Sequence, residues 1–132
     1  MKKILLVLLS SLTFLAVSSS ANAIKVGALY LDTAGFFGEI KVGIEAAGAE
    51  EGIELTGANS QSDVAKESEF IDTLIAKGVD VVIMSPVSTD SSVAAVERLA
   101  AAGIPVVCYN TCLNEDDAAR LAYALVTTSQ RE

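Results

Sequence analysis

The sequence has no histidine and no tryptophan. Without His, the Ser-His-Asp triad and most zinc sites are excluded, because each needs an imidazole as general base or ligand. Basic residues are scarce: nine Lys and Arg stand against seventeen Asp and Glu, for a net charge of −8. No run of Lys or Arg makes a local exception, so nucleic acid and anionic lipid surfaces would be repelled. Charged residues reach only 20% against 52% hydrophobic, which excludes a disordered tail. Two cysteines, Cys108 and Cys112, have no His to activate them, so an enzyme built on a thiol–base pair is disfavoured. No catalytic residue, metal site or cofactor is assigned.

The apolar mass is concentrated at one place. Lys2 and Lys3 precede Ile4 to Val17, an uncharged run of fourteen residues. A spanning helix needs about 20 apolar residues. Ser18 to Ser20 and then Ala21-Asn22-Ala23 follow. A basic start, a short apolar stretch and an A-x-A ending is the pattern of a secretory signal peptide. Cleavage is expected after Ala23, with an N-terminal anchor as the alternative. No Cys closely follows the run, which argues against a lipoprotein anchor. The mature chain would then run from Ile24 to Glu132, 109 residues that keep seventeen acids and seven bases, net −10. That length supports one core.

Glycines punctuate the mature chain. Gly52, Gly78 and Gly103 lie 26 and 25 residues apart, and each follows a helix-like segment and precedes an apolar run. This is a repeating βα unit with Gly at left-handed helix ends. Three apolar stripes fit a 3.6-residue period: Phe37, Ile40, Ile44 and Ala47; Phe70, Ile71, Leu74 and Ile75; Val93, Val96, Leu99 and Ala100. Ser62 and Thr89 are the expected N-caps. Strands are expected at Lys25–Leu31, Ile53–Ala58, Val79–Met84 and Ile104–Tyr109. The last two are nearly continuous apolar runs, the mark of strands buried on both faces of a parallel sheet. Asp117 to Leu125 favours helix by propensity, but the βα rhythm predicts a fifth strand near Leu121–Thr127. The expected fold is α/β, a doubly wound parallel five-stranded sheet with helices on both faces.

In such a sheet, ligands bind at the carboxyl ends of the strands. The loops there are 32–37, 59–63, 85–92 and 110–117. Phe36 and Phe37 stand together just past the first strand. Neighbouring helical side chains point about 100° apart, so at least one ring should reach the ligand face; the alternative is that both cap the sheet edge. A ring beside polar groups suits a sugar, whose C–H face stacks while its hydroxyls are hydrogen-bonded. The same loops hold Asp32, Asp63, Asp90, Glu115, Asp116 and Asp117 and no Lys or Arg. An anionic ligand would normally want an Arg fork. A neutral polyol or a cation fits better, although most of these acids also suit helix N-termini as solvated charges.

Other users of a doubly wound sheet fit poorly. The turn Asp32-Thr33-Ala34-Gly35-Phe36-Phe37-Gly38 is not the G-x-G-x-x-G of a dinucleotide site, and no P-loop occurs. A signalling receiver domain needs an Asp ending the third strand and a Lys ending the last; here the third ends Met84-Ser85, and no Lys lies beyond Lys77.

Several segments, in order, resemble the N-terminal lobe of type I periplasmic solute-binding proteins, the ribose- and galactose-binding group of sugar ABC transporters. They are Lys25-Val26-Gly27 with Gly35-Phe36-Phe37, Gly43-Ile44 with Ala47, Gly78 to Ile83, Ser85-Pro86, and Ala102 to Val107. The resemblance covers essentially all of residues 24–132. Cys108-Tyr109-Asn110-Thr111-Cys112 resembles a poorly characterised branch of that group. The resemblance implies a lobe of the periplasmic binding protein-like I fold and a periplasmic, monomeric, non-enzymatic binding component. It would grip a sugar-like small molecule between two lobes and deliver it to an ABC permease in the inner membrane. It also implies ligand contacts at Phe36 and Phe37, at Asp32 within Tyr30–Asp32, at Ser85 where family members often carry Asn, and at Asn110 and Thr111 in place of an Asp-Arg pair. That replacement makes ribose itself doubtful. Family members run to roughly twice the mature length, so the chain is expected to lack the second lobe, and an apolar patch is expected near Leu125 and Val126. The alternative function is a periplasmic sensing lobe that presents bound ligand to a signalling receptor; a neighbouring kinase gene rather than permease genes would mark it.

The oxidising compartment makes Cys108 and Cys112 a candidate disulfide. Extended, the stretch would hold the Cα atoms roughly 13 Å apart, against a bridging limit near 7 Å. A tight turn through Tyr109-Asn110-Thr111 would close that gap. The alternative is a core thiol at Cys108 and an unrelated Cys112.

Overall fold

The computed structural model describes residues 23–127. The signal-peptide reading, Ala23 apart, lies outside them. Five strands alternate with four helices: β1 (Lys25–Tyr30), α1 (Gly35–Glu50), β2 (Glu54–Asn59), α2 (Val64–Lys77), β3 (Val81–Met84), α3 (Val93–Ala101), β4 (Val106–Tyr109), α4 (Glu115–Leu121) and β5 (Ala122–Val126). All neighbouring strands are parallel, in the order β2-β1-β3-β4-β5. The chain leaves β1 for one edge and returns to β3 on its other side, so the order reverses between β1 and β3. That reversal opens a crevice at the strand carboxyl ends.

The α/β reading holds. Gly52, Gly78 and Gly103 all have positive φ, at 66°, 62° and 74°. Both readings of the C-terminal stretch are partly realised, because α4 ends at Leu121 and β5 starts at Ala122. The Asn114 side chain caps α4 by accepting from the Asp117 N–H at 3.0 Å, and Glu115, Asp116 and Asp117 meet the positive end of the helix dipole. The expected caps shift. Asp63, not Ser62, caps α2, accepting from the N–H groups of Ala65 and Lys66 at 2.8 and 3.2 Å. A carboxylate both bonds these donors and complements the dipole, which a hydroxyl cannot match. Thr89 lies within a Ser88–Ser92 turn and does not cap α3; Ser88 Oγ accepts from the Ser91 N–H there, at 3.0 Å.

The two faces of the sheet differ. α2 and α3 pack on one face and on each other, and α4 packs on α3. Between them and the sheet lie Leu29, Ile71, Leu74, Val82, Met84, Val96, Leu99 and Val106, all 0–1% exposed. Gly27 permits the closest approach. A Cβ on it would sit 2.8 Å from Leu74 Cδ1, so α2 lies directly on the β1 backbone. The other face carries α1 alone, and Gly48 is its only buried residue. Val81, Ile83 and Val107 are only half-buried there. An apolar trough of about 350 Å³ opens between them, Ile44 of α1, and Ile53 and Leu55. At the β5 edge, Tyr123, Leu125 and Val126 are 82%, 52% and 57% exposed, the patch expected there.

Candidate functional site

The carboxyl edge is built by what each strand does at its end. β1 stops at Tyr30, and Asp32 turns the chain, its Oδ1 accepting from the Thr33 N–H at 2.6 Å. α1 then starts without a side-chain cap. Gly38 lets it start so tightly, because a Cβ there would lie 2.7 Å from the Thr33 carbonyl oxygen. The helix start holds Phe36 and Phe37 edge-on to one another, with ring centroids 5.4 Å apart and planes at 74°. Phe36 is 48% exposed and Phe37 half-buried, so the rings are not both capping the sheet.

β4 ends in a ring closed by a disulfide. Cys108 and Cys112 are bridged, with Cα atoms 5.3 Å apart. The turn that brings them together centres on Asn110, at φ +63°. The Thr111 N–H donates to the Tyr109 carbonyl at 2.7 Å, and Asn tolerates the left-handed region better than most residues. The Asn110 N–H in turn donates to the Val126 carbonyl at 3.0 Å, tying the ring to β5. Asn110 is consequently exposed while both cysteines are buried.

These elements meet. Phe36, Tyr109, Asn110 and Val126 line a groove of about 210 Å³ whose floor is Ile40 and Ile44. Two of the six expected contacts, Phe36 and Asn110, thus share one cavity. Asp32, Phe37, Ser85 and Thr111 lie at the same sheet edge but outside that groove. The Ser85 hydroxyl is buried and has no hydrogen-bond partner among the described residues. Tyr109 and Val126 are not among the contacts expected from the sequence, which places Tyr109 in the closing turn and Val126 in an apolar patch. The alternation within β4 could have marked Tyr109, since its i−2 neighbour Val107 faces the open side of the sheet.

The edge is polar and less acidic than its loops alone suggest. Lys41 of α1 bonds Glu45 at 2.7 Å and lies 5.7 Å from the centre of the Tyr30 ring. Lys66 of α2 donates to the Gln61 side chain. Asn59 donates to Thr33 Oγ1 at 3.1 Å, joining the ends of β2 and β1. Helical lysines therefore supply donors that a reading of the loops omits. Burial pushes the Tyr109 phenol up to about 12, and its hydroxyl donates to the Leu29 carbonyl at 3.3 Å. Burial, and secondarily Glu45, pushes Tyr30 up to about 12 as well. Both phenols stay neutral at physiological pH. Among the described residues, no cluster of His, Cys, Asp or Glu is grouped to hold a metal ion.

Known proteins share this fold. A periplasmic binding protein domain matches residues 27–130. The ABC transporter periplasmic-binding protein YphF of Escherichia coli is 41% identical over 99 residues, which is 74% of this chain and 30% of that protein. The xylitol-binding protein of Mycolicibacterium smegmatis is 29% identical over 102 residues, 77% of this chain and 29% of that one. The arabinose-transporter binding protein of Shewanella sp. ANA-3, solved with L-arabinofuranose, superposes with a TM-score of 0.72 at 24% identity, covering 79% of this chain and 34% of that one. The chain thus spans about a third of the length of these relatives. Its matched segment and its parallel sheet agree with theirs, and the chain belongs to the periplasmic binding protein domain family, whose members bind solutes and are not enzymes.

Proposed function

We propose that this chain forms the N-terminal wall of a solute-binding cleft in a periplasmic binding protein, exported by a signal peptide at residues 1–23. The ligand is a sugar or another neutral polyhydroxylated molecule, delivered to the permease of an ABC importer by a monomeric protein. The observation that carries this reading is the groove at the strand carboxyl ends. It pairs the exposed face of Phe36 with the Tyr109 ring and the free Asn110 side chain. The rings offer a surface for C–H faces and Asn110 offers both a donor and an acceptor. Among the described residues, no Arg lines the groove to fork a carboxylate or phosphate. Asp32, Phe37, Ser85 and Thr111 flank it as further contacts.

A single wall buries only part of a small ligand, and tight sites bury most of its surface. Residues 24–132 alone should therefore bind weakly, and the wall should bind fully when joined to the second lobe that the family resemblance implies. A thermal-shift screen of that two-lobe protein against pentoses, hexoses, furanoses and polyols tests the reading, since bound ligand raises the melting temperature. A rise with a neutral polyol that is lost in Phe36→Ala and Asn110→Ala supports it. A rise confined to carboxylates or phosphates, or indifference to both substitutions, overturns it.

A further inference from the structure

Among the described residues, Glu67 is the only charged side chain that is fully buried. It sits in the first turn of α2, and its backbone N–H bonds the carbonyl of the Asp63 cap at 3.0 Å. Its Oε2 accepts from the Val87 N–H at 2.8 Å across twenty residues of sequence. Burial raises its carboxyl pKa, opposed by the nearby Ser92 hydroxyl and by that N–H. A leucine would fill the same space without desolvating a carboxyl group, so the acid must act through what it holds.

What it holds is the loop after β3. Ser92 Oγ accepts from the Ser88 N–H at 3.1 Å, and Ser88 Oγ from the Ser91 N–H at 3.0 Å, so the far half of the loop closes on itself. The Thr89 carbonyl accepts from the Asn114 N–H at 3.0 Å, which ties the loop tip to the segment after β4. The near half, Ser85 to Val87, leads out of β3 beside the crevice. The Val87 N–H bond to Glu67 is its link to α2.

We propose that Glu67 is a positioning residue of the ligand face: by holding the Val87 N–H it fixes the start of the β3 loop against α2 and sets where Ser85 and Pro86 stand in the crevice. The tether stands on geometry alone; its effect on ligand rests on the solute-binding reading above. Gln keeps a carbonyl oxygen of the same reach. Met matches the length but accepts no comparable bond. Asp keeps the carboxyl group but is one methylene too short.

The test compares Glu67→Gln, Glu67→Met and Glu67→Asp in the two-lobe protein. The first readout is hydrogen exchange at the Val87 amide, referred to Val82, whose N–H donates to the Pro105 carbonyl at 3.0 Å inside the sheet. The second is affinity for the best polyol of the thermal-shift screen. Met should raise the Val87-to-Val82 exchange ratio about tenfold or more, the scale of one lost hydrogen bond to a charged group, and weaken binding by a similar factor. Gln should leave both within about threefold of the parent on the same scale. Asp should follow Met, and it serves alone if Met folds poorly. An unchanged exchange ratio in both Met and Asp overturns the tether. A raised ratio with unchanged affinity overturns the positioning role. If the parent binds no sugar or polyol at all, the solute-binding reading fails, and the exchange ratio still decides whether the tether exists.

Discussion

The two faces of the sheet are made from the same strands yet finished differently. On the α2–α3 face, side chains from alternate strand positions disappear: Val82, Met84, Val106 and Cys108 are 0–1% exposed. One residue away along the same strands, Val81, Ile83 and Val107 remain half-buried, with only α1 for cover. The difference comes from the crossovers, not from the strands. Three of the four βα units put their helices on one side, because the chain reverses its order only once, between β1 and β3. A continuous apolar run therefore marks a strand made for two covered faces, while this chain itself supplies most of the cover for one.

The largest test of that contrast is a pair of truncations. Leu74 is 1% exposed and lies against Gly27, so Leu74→Ala should destabilise the lobe by about 2–5 kcal/mol through lost burial and an unfilled cavity. Val107→Ala, on the open face, should cost about 1 kcal/mol or less, because the methyl groups removed are already half in water. Urea melts of both variants check this. Equal losses would mean that the open face is covered in solution by something that packs as tightly as α2.

The disulfide comes next, because it stiffens the carboxyl edge that the two faces share. The ring it closes is short, so chain entropy gives it about 2 kcal/mol at most. The larger consequence should be local: without the bridge, Asn110 need not hold its left-handed turn, and the groove loses one polar wall. Alkylation of the non-reduced protein followed by mass spectrometry should add no alkyl groups until reductant is present. Two groups added without reductant would show that the bridge is absent. Cys108→Ser with Cys112→Ser should weaken polyol binding more than it lowers the melting temperature.

The lobe's architecture was legible in the sequence because it is written in repeated, local terms. Glycines at helix ends, apolar runs and 3.6-residue stripes each depend on a few neighbouring residues. The candidate groove was legible only in part. Phe36 and Asn110 could be placed because they sit in loops at known strand ends. Tyr109 sits in a run where every residue is apolar, so alternation puts it on the face of Val107 but only the fold shows that this face meets the groove. Glu67 was hidden by the opposite cause: in sequence it is one more acid on a helix that also carries Lys66, Glu69 and Asp72, and its burial depends on where α2 lands. The caps were missed by one to three residues because the runs Gln61-Ser62-Asp63 and Ser88 to Ser92 offer several competing oxygens.

A smaller effect separates the two faces by pH. The Glu67 carboxyl lies on the closed side, and burial raises its pKa above the ordinary value. The folded state therefore holds this proton more tightly than the unfolded chain does. As pH rises past the ordinary carboxyl range, the unfolded chain ionises freely while the folded one resists, and stability falls until the folded group has also ionised. Glu67→Gln removes that loss. Its melting temperature relative to the parent should be higher at pH 7.5 than at pH 4, measured calorimetrically. A difference that shrinks as pH rises would mean that the Ser92 and Val87 bonds to the carboxylate outweigh burial.

The smallest effect is expected at α4, the helix beside the exposed β5 edge. Asp117 is held below the usual carboxylate range, first by its hydrogen bond from Arg120 at 2.6 Å and then by Asn114. Arg120 also reaches Glu97 of α3 at 2.9 Å, so the cluster staples α4 to its neighbour on the covered side. Here the sign is the reverse of that at Glu67. A lowered carboxyl pKa contributes stability above the ordinary value, and that contribution is lost as the pH falls through the folded value. The groups are open to water, so salt screens them and exposed pairs contribute little. Arg120→Ala should therefore barely move the melting temperature at physiological salt. It should nonetheless move the Asp117 carboxyl titration, followed by NMR, back up toward the ordinary range, and only part of the way, because the Asn114 side chain still donates to Asp117 at 2.9 Å. An unmoved titration would mean that the capping bonds of Asn114, not the arginine, hold the charge. The open edge would then be anchored by the start of α4 alone.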